Sequence, residues 1–211
     1  MRLLDGVGVL MIITKNVALS FVLCACLSGG AAAHAQMKPG IPFGWKLHGS
    51  RADKFECGID NDIVKDGKPS AYLRGAASTI PGSGELVQMI SPDKYLGGRV
   101  MLTGYIKTKD VQDMAGLWMR VGGISNELIG LDTMEDRPVK GSTDWTKFSE
   151  VLEVPPDAKD ITFGFALHGP GTVWVNGLTL APAGKSDKIT NLVPRKRPPA
   201  DPVNMDFTGN K

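Results

Sequence analysis

Gly104-Tyr105-Ile106-Lys107-Thr108 and Ala115-Gly116-Leu117-Trp118-Met119-Arg120-Val121 are the stretch that decides the fold. In the first run Val100, Leu102, Gly104 and Ile106 alternate with Met101, Thr103, Tyr105 and Lys107. In the second, Leu117, Met119 and Val121 alternate with Trp118 and Arg120. A period of two sends one set into a core and the other to the opposite face of a sheet. The polar residues between them, Lys109 to Met114, predict a short connection across which two strands face each other. Thr103, Tyr105, Trp118 and Arg120 then share one face, which is either a ligand platform or a well-packed second layer.

Outward from this pair, the same alternation recurs in short runs bounded by Gly, Pro and Asp. Phe43–Leu47, Phe55–Asp60, Ser70–Arg74 and Leu86–Ile90 precede it. Ile124–Met134, Trp145–Val154, Asp160–His168 and Thr172–Leu180 follow it. Asp66-Gly67 is a hairpin-type turn signal. Ser91-Pro92 reads as a cap and first position of a helical turn. Glu135 to Asp144 reads as a long polar loop. About ten short strands without a long amphipathic helix predict an all-β, antiparallel jelly-roll β-sandwich over residues 45–182. Residues 36–44 are an extended lead-in. From Ala183 the chain turns polar and Pro-rich, which predicts a flexible tail over 183–211. Within that tail Pro202 to Phe207 regains apolar residues, and is either an edge strand or free.

Residues 1–35 read as a signal peptide. Lys15 precedes an apolar run from Val17 to Leu27, and Ala33-His34-Ala35 before Gln36 is an A-x-A cleavage site. The run falls short of the roughly 20 residues of a membrane span. Export to the periplasm or the medium is expected. In the alternative, Leu23-Cys24-Ala25-Cys26 acts as a lipobox with Cys26 lipidated. On cleavage at Ala35 Cys57 is the remaining cysteine, without an intramolecular partner, and is expected to be a small buried hydrophobe. Net charge is +2 and no basic stripe interleaves with aromatics, which argues against nucleic-acid binding. Arg195-Lys196-Arg197 reads as solvated linker.

Taken together, Ser70-Ala71-Tyr72-Leu73-Arg74, Gly84-Glu85-Leu86-Val87-Gln88, Tyr95-Leu96-Gly97-Gly98-Arg99-Val100, the central pair, Asp144-Trp145 and Gly171-Thr172-Val173-Trp174-Val175 resemble a jelly-roll module. That module is appended to AraC-type transcription regulators and secreted hydrolases. Its architecture is similar to carbohydrate-binding and galactose-binding-like modules. The resemblance runs from about Trp45 to Leu180, and Asn176 stands where Asp is expected in many relatives. It implies a non-catalytic binding module for a carbohydrate or other small polar ligand. The alternative is an interaction or structural module docking on an envelope protein.

The candidate ligand-binding residues are Tyr72, Arg74, Gln88, Tyr105, Trp118 and Arg120. Aromatic rings stack on sugar faces while Arg and Gln donate to hydroxyls. Gln88, mid-strand among apolar residues, is either a ligand contact or a loop anchor. Asp132, Glu135 and Asp136 beside Arg137 crowd one loop, which disfavours a two-carboxylate hydrolase. Asp60, Asn61 and Asp62 offer oxygens for a structural calcium, without EF-hand spacing. His48 and His168 lack neighbours at zinc-ligand spacing. No cofactor is expected, and no Gly-x-Ser-x-Gly elbow occurs.

Overall fold

The computed structural model describes residues 37–193 and, beyond them, 201, 202, 204–206 and 208. The expected leader, Cys26 and Arg195–Arg197 lie outside the described residues. The described chain is built of ten strands: β1 (Met37–Pro39), β2 (Lys46–His48), β3 (Phe55–Lys65), β4 (Lys68–Gly75), β5 (Ser83–Ile90), β6 (Gly98–Gly123), β7 (Leu128–Asp132), β8 (Val139–Val154), β9 (Ala158–His168) and β10 (Gly171–Pro182). One 3₁₀ turn, Ala52–Lys54, precedes β3. Every pairing is antiparallel. The result is the jelly-roll β-sandwich expected from the sequence.

The central element departs from expectation. Gly98 to Gly123 is one strand of 26 residues, not two strands joined by a hairpin. Its first half lies between β10 and β8, and its second half between β9 and β7. The polar stretch Lys109–Met114 is where β6 passes from one layer to the other. Three register shifts against β8 fall between Ile106 and Ala115, and Asp110 takes a left-handed φ of 54°. Bulges of this kind bend a strand and re-aim its side chains. A bend and a turn favour the same polar residues, so composition alone does not separate them.

The layers follow from this sharing. One runs β1-β3-β4-β10-β6 with β8 on the far edge of β6. The other runs β2-β5-β9-β6 with β7 on its far edge. Their facing sides meet in a core of fully buried side chains, among them Leu73, Leu86, Leu102, Ile106, Leu117, Met119, Leu152 and Phe165. Trp45 closes one end, edge-on to Phe163 at 6.2 Å between centroids. Cys57 is buried in this core as a free thiol.

Two expected turns are present and one loop is shorter. The Asp66-Gly67 turn is present, with both φ angles positive (50° and 72°) and Lys65 paired to Lys68. That is the primed geometry a two-residue hairpin favours. Ser91-Pro92 opens the expected single turn, with Tyr95 N–H donating to Pro92 C=O at 2.7 Å. The loop after β7 is shorter than expected because β8 begins at Val139.

Residues 183–193 are not a free tail. Ala183 N–H donates to Arg99 C=O at 2.9 Å. Arg99 Nη1 donates to the carbonyls of Lys185 and Asp187 at 2.6 and 2.9 Å. Farther on, Thr190 N–H donates to Val151 C=O and Leu192 N–H to Leu131 C=O, at 2.9 and 2.8 Å. The segment therefore bridges β8, the edge of one layer, and β7, the edge of the other. Its grip is largely on main-chain groups, so a polar, apolar-poor sequence conceals it.

Leu117, fully buried where β6 crosses the core, sets the scale of the packing. Leu117→Ala is expected to cost about 2–5 kcal/mol in urea unfolding, with an unchanged denaturant slope.

Candidate functional site

Alternation along β3, β4, β10 and the first half of β6 presents a polar and aromatic outer face. Register places its side chains in rows. Glu56, Arg74, Thr172 and Lys109 form one row. Tyr72, Trp174 and Lys107 form the next. Arg74 Nη2 donates to Glu56 Oε2 at 2.5 Å, and Tyr72 Oη donates to Glu56 Oε1 at 2.6 Å. Arg74 and Glu56 are 38% and 33% exposed, so this pair meets solvent. The Tyr72 hydroxyl bond, together with Arg74 and against partial burial, holds the Glu56 carboxyl below the usual carboxylate range. Burial, and then the Glu56 carboxylate, push the Tyr72 phenol well above its ordinary value.

Beneath this row lies Asp60, fully buried. Its Oδ2 accepts the indole N–H of Trp174 at 2.8 Å. Its Oδ1 accepts the backbone N–H groups of Asp62 and Ile63, both at 3.0 Å. Those bonds shape an irregular stretch of β3: between Asp60↔Ser70 and Lys65↔Lys68, β3 carries three residues more than β4. The extra length lifts Ile63 over the face. A depression of about 540 Å³ results, lined by Ile63, Arg74, Lys109, Thr172 and Trp174, with residues 75–78 along one wall. Trp174 is 5% exposed, so it offers an edge rather than a stacking plane. Farther along the face the Lys65 ammonium sits 4.0 Å from the Tyr105 ring centroid. Asn176 Nδ2 donates to the carbonyls of Lys68 and Pro69 and to Ser70 Oγ.

The six candidate ligand residues do not share one surface. Tyr72, Arg74 and Tyr105 lie on the face just described. Because β6 changes layers, Trp118 and Arg120 lie on the outer face of the other layer. There they flank Val87, Met89 and Thr162 in a shallow groove of about 250 Å³ bordered by Lys46, His48 and Glu85. Arg120 Nη1 is paired with Asp160 Oδ1 at 3.1 Å. Gln88 points inward, in register with Phe163, under the lead-in at Gly44: a Cβ there would lie 3.1 Å from Gln88 Nε2.

The other clusters are structurally engaged. Asp60 has both oxygens committed to protein N–H groups, and Asp62 is exposed. Among the described residues no three acidic, His or Cys side chains converge to hold a metal. Asp132 is buried and gripped by Arg137, Nη2 to Oδ2 at 2.6 Å and Nη1 to Oδ1 at 3.1 Å. Arg137 also binds Asp136 at 2.7 Å. These carboxylates form an ion-paired knot rather than two groups flanking a cleft. Glu56, Lys109 and the Asp60–Trp174 bond are the features sequence reasoning missed. The Glu-x-Gly-x-Asp alternation of Glu56, Gly58 and Asp60 was the available signal.

No family model matches the chain. An uncharacterized HTH-type transcriptional regulator, YbfP of Bacillus subtilis (strain 168), is 39% identical over 167 residues, 78% of this chain. The match spans 56% of that relative, so the chain covers about half its length. Among solved structures, the enzymatically active domain of tailspike protein 4 from bacteriophage CBA120 aligns over 67% of this chain and 20% of its own, with a TM-score of 0.52 and 14% identity. At that identity the likeness is one of fold. A xylan-binding domain of carbohydrate-binding family 22 aligns over 74% of this chain and 99% of its own, at TM-score 0.49 and 12% identity. That likeness is too slight to argue from.

Two outcomes follow from the Glu56 and Asp60 networks. Tyr72→Phe removes the leading stabiliser of the Glu56 carboxylate. Its titration, followed by carboxyl NMR, is expected to move up toward the ordinary glutamate value, with a loss of about 1.5–3 kcal/mol of stability near neutral pH. A depressed carboxyl pKa stabilises above the unfolded value, so this difference should vanish as pH falls through the folded value. Asp60→Ala strands the Trp174 N–H and two backbone N–H groups, and is expected to cost about 3 kcal/mol or more in chemical denaturation.

Proposed function

We propose that this chain is an exported, non-catalytic binding module, and that its ligand is a carbohydrate held in the depression beside Arg74. The observation carrying this reading is the Arg74 guanidinium, about a third exposed and paired with Glu56, lining a 540 Å³ depression with Lys109 and Thr172 in the same row. A hydroxyl both donates and accepts. A rim that sets a carboxylate beside a guanidinium meets both needs, with the added strength of charged partners. With Trp174 edge-on, recognition rests on hydrogen bonds more than on ring stacking. The tied-up state of Asp132 and Asp136 supports a role without catalysis.

Fold alone does not carry function. The name of the relative, an HTH-type transcriptional regulator, is compatible with a module that binds a small effector beside a DNA-reading unit. Among the described residues the 3₁₀ turn is the one helical element, so none of them forms a DNA-reading helix. None forms a helix long and apolar enough to cross a membrane. The export reading rests on the leader-like residues 1–35.

The test is a thermal-shift screen of the purified chain against neutral and acidic oligosaccharides and against calcium. A sugar at ~100 times its dissociation constant adds about 2.7 kcal/mol. The expected hit is lost in Arg74→Ala and kept in Trp118→Ala. Loss in Trp118→Ala alone moves the site to the opposite groove. A flat response from a folded protein overturns the carbohydrate reading in favour of a protein partner.

A further inference from the structure

Glu150 is the most anomalous side chain of the described residues. It lies on the inward side of β8, in line with the core residues Leu152 and Val154. It is fully buried, and no protein group lies within hydrogen-bonding distance of either carboxyl oxygen. Buried polar groups nearly always find partners, and a buried lone charge is far costlier than a buried lone dipole.

Its surroundings are specific. Glu150 directly precedes Val151, and Asp132 directly follows Leu131. Val151 and Leu131 are the two edge residues gripped by segment 190–192. Val151 N–H donates to Thr190 Oγ1 and Leu131 N–H to Asn191 Oδ1, at 2.9 and 3.0 Å. With the two reciprocal main-chain bonds, this segment ties the β8 edge to the β7 edge at the residues next to the two carboxyl groups. The charged groups facing Glu150 are Asp132 from β7 and Arg137 from the β7–β8 connection. Arg137 is already bound to Asp132, Asp136 and the Ser149 carbonyl. From β6 the lateral neighbour is Leu102. The segment itself brings no buried charge, since Lys188 is exposed.

We propose that residues 190–192 form a proton-held clasp, closed over the seam while Glu150 is neutral and loosened when Glu150 ionises beside Asp132. In the closed seam no protein donor bonds Glu150, and Arg137 is shared among Asp132, Asp136 and the Ser149 carbonyl. Water reaches it when the clasp lifts from Val151 and Leu131. Burial, and then the Asp132 charge, raise the Glu150 carboxyl well above the usual range, with Arg137 opposing. The closed state therefore binds the proton more tightly than the open one. Its stability is full below about pH 4.5, the ordinary glutamate value, and declines as pH rises toward the raised value.

The test is amide hydrogen exchange on the full chain from about pH 5 to about pH 8, expressed as protection factors. Protection at Val151, Leu131, Thr190 and Leu192 is expected to fall up to about tenfold per pH unit until Glu150 has titrated. Core amides such as Phe165, which open only with the whole fold, should stay better protected than the clasp at every pH. Glu150→Gln, neutral at every pH, should abolish the slope. Carboxyl ¹³C NMR of the unmodified chain gives a second reading that depends on no variant. The Glu150 titration must lie above the ordinary carboxylate range and end where the loss of protection ends. A flat profile at the clasp, clasp protection no lower than that of the core, or an ordinary Glu150 titration overturns the proposal.

Discussion

The carboxylate of Asp60 fixes which face β3 shows to solvent. It accepts three N–H groups, two from its own strand and one from Trp174. The two local bonds hold three extra residues in β3, and an odd insertion reverses the side-chain parity of everything before it. Counting back from the Lys65–Lys68 turn without that insertion would set Arg74 against Ile59. With it, Arg74 meets Glu56. The ion pair at the rim of the depression, the buried hydroxyl of Tyr72 and the edge-on indole all depend on this one side chain.

The layers of the fold were legible because their signal is local and repeated. Alternation, turn residues and the paired positive φ angles at Asp66-Gly67 need no knowledge of distant partners. The site was less legible for a corresponding reason. Tyr105 and Trp118 read as neighbours because Lys109–Met114 has the composition of a turn. In fact the strand continues and bends, and the two aromatic residues end on opposite outer faces. Likewise Glu56 and Arg74 are ordinary charged positions until the bulge at Asp60 brings them into register. A long-range pairing that turns on one side-chain bond leaves little trace in composition.

The segment after β10 teaches the same lesson from the opposite direction. Its sequence is polar, carries no apolar stripe and leads into a Pro-rich stretch, which usually marks a linker. Here the unpaired edges of β7 and β8 supply the complement, and Thr190, Asn191 and Leu192 answer them largely through main-chain and short polar groups. Exposed strand edges are hazards that proteins commonly cover. This cover grips the residues next to Glu150 and Asp132, and the proposed clasp couples its hold to the charge of Glu150.

The length of β6 bears on how the molecule comes apart. In many sandwiches each layer is made of its own strands, and one layer is free to loosen while the other persists. Here one backbone of 26 residues belongs to both, paired along its two edges in each. Fraying that starts in either layer removes support from the strand that holds the other. The two layers are thus a single cooperative unit, with the terminal clasp as the part able to open by itself.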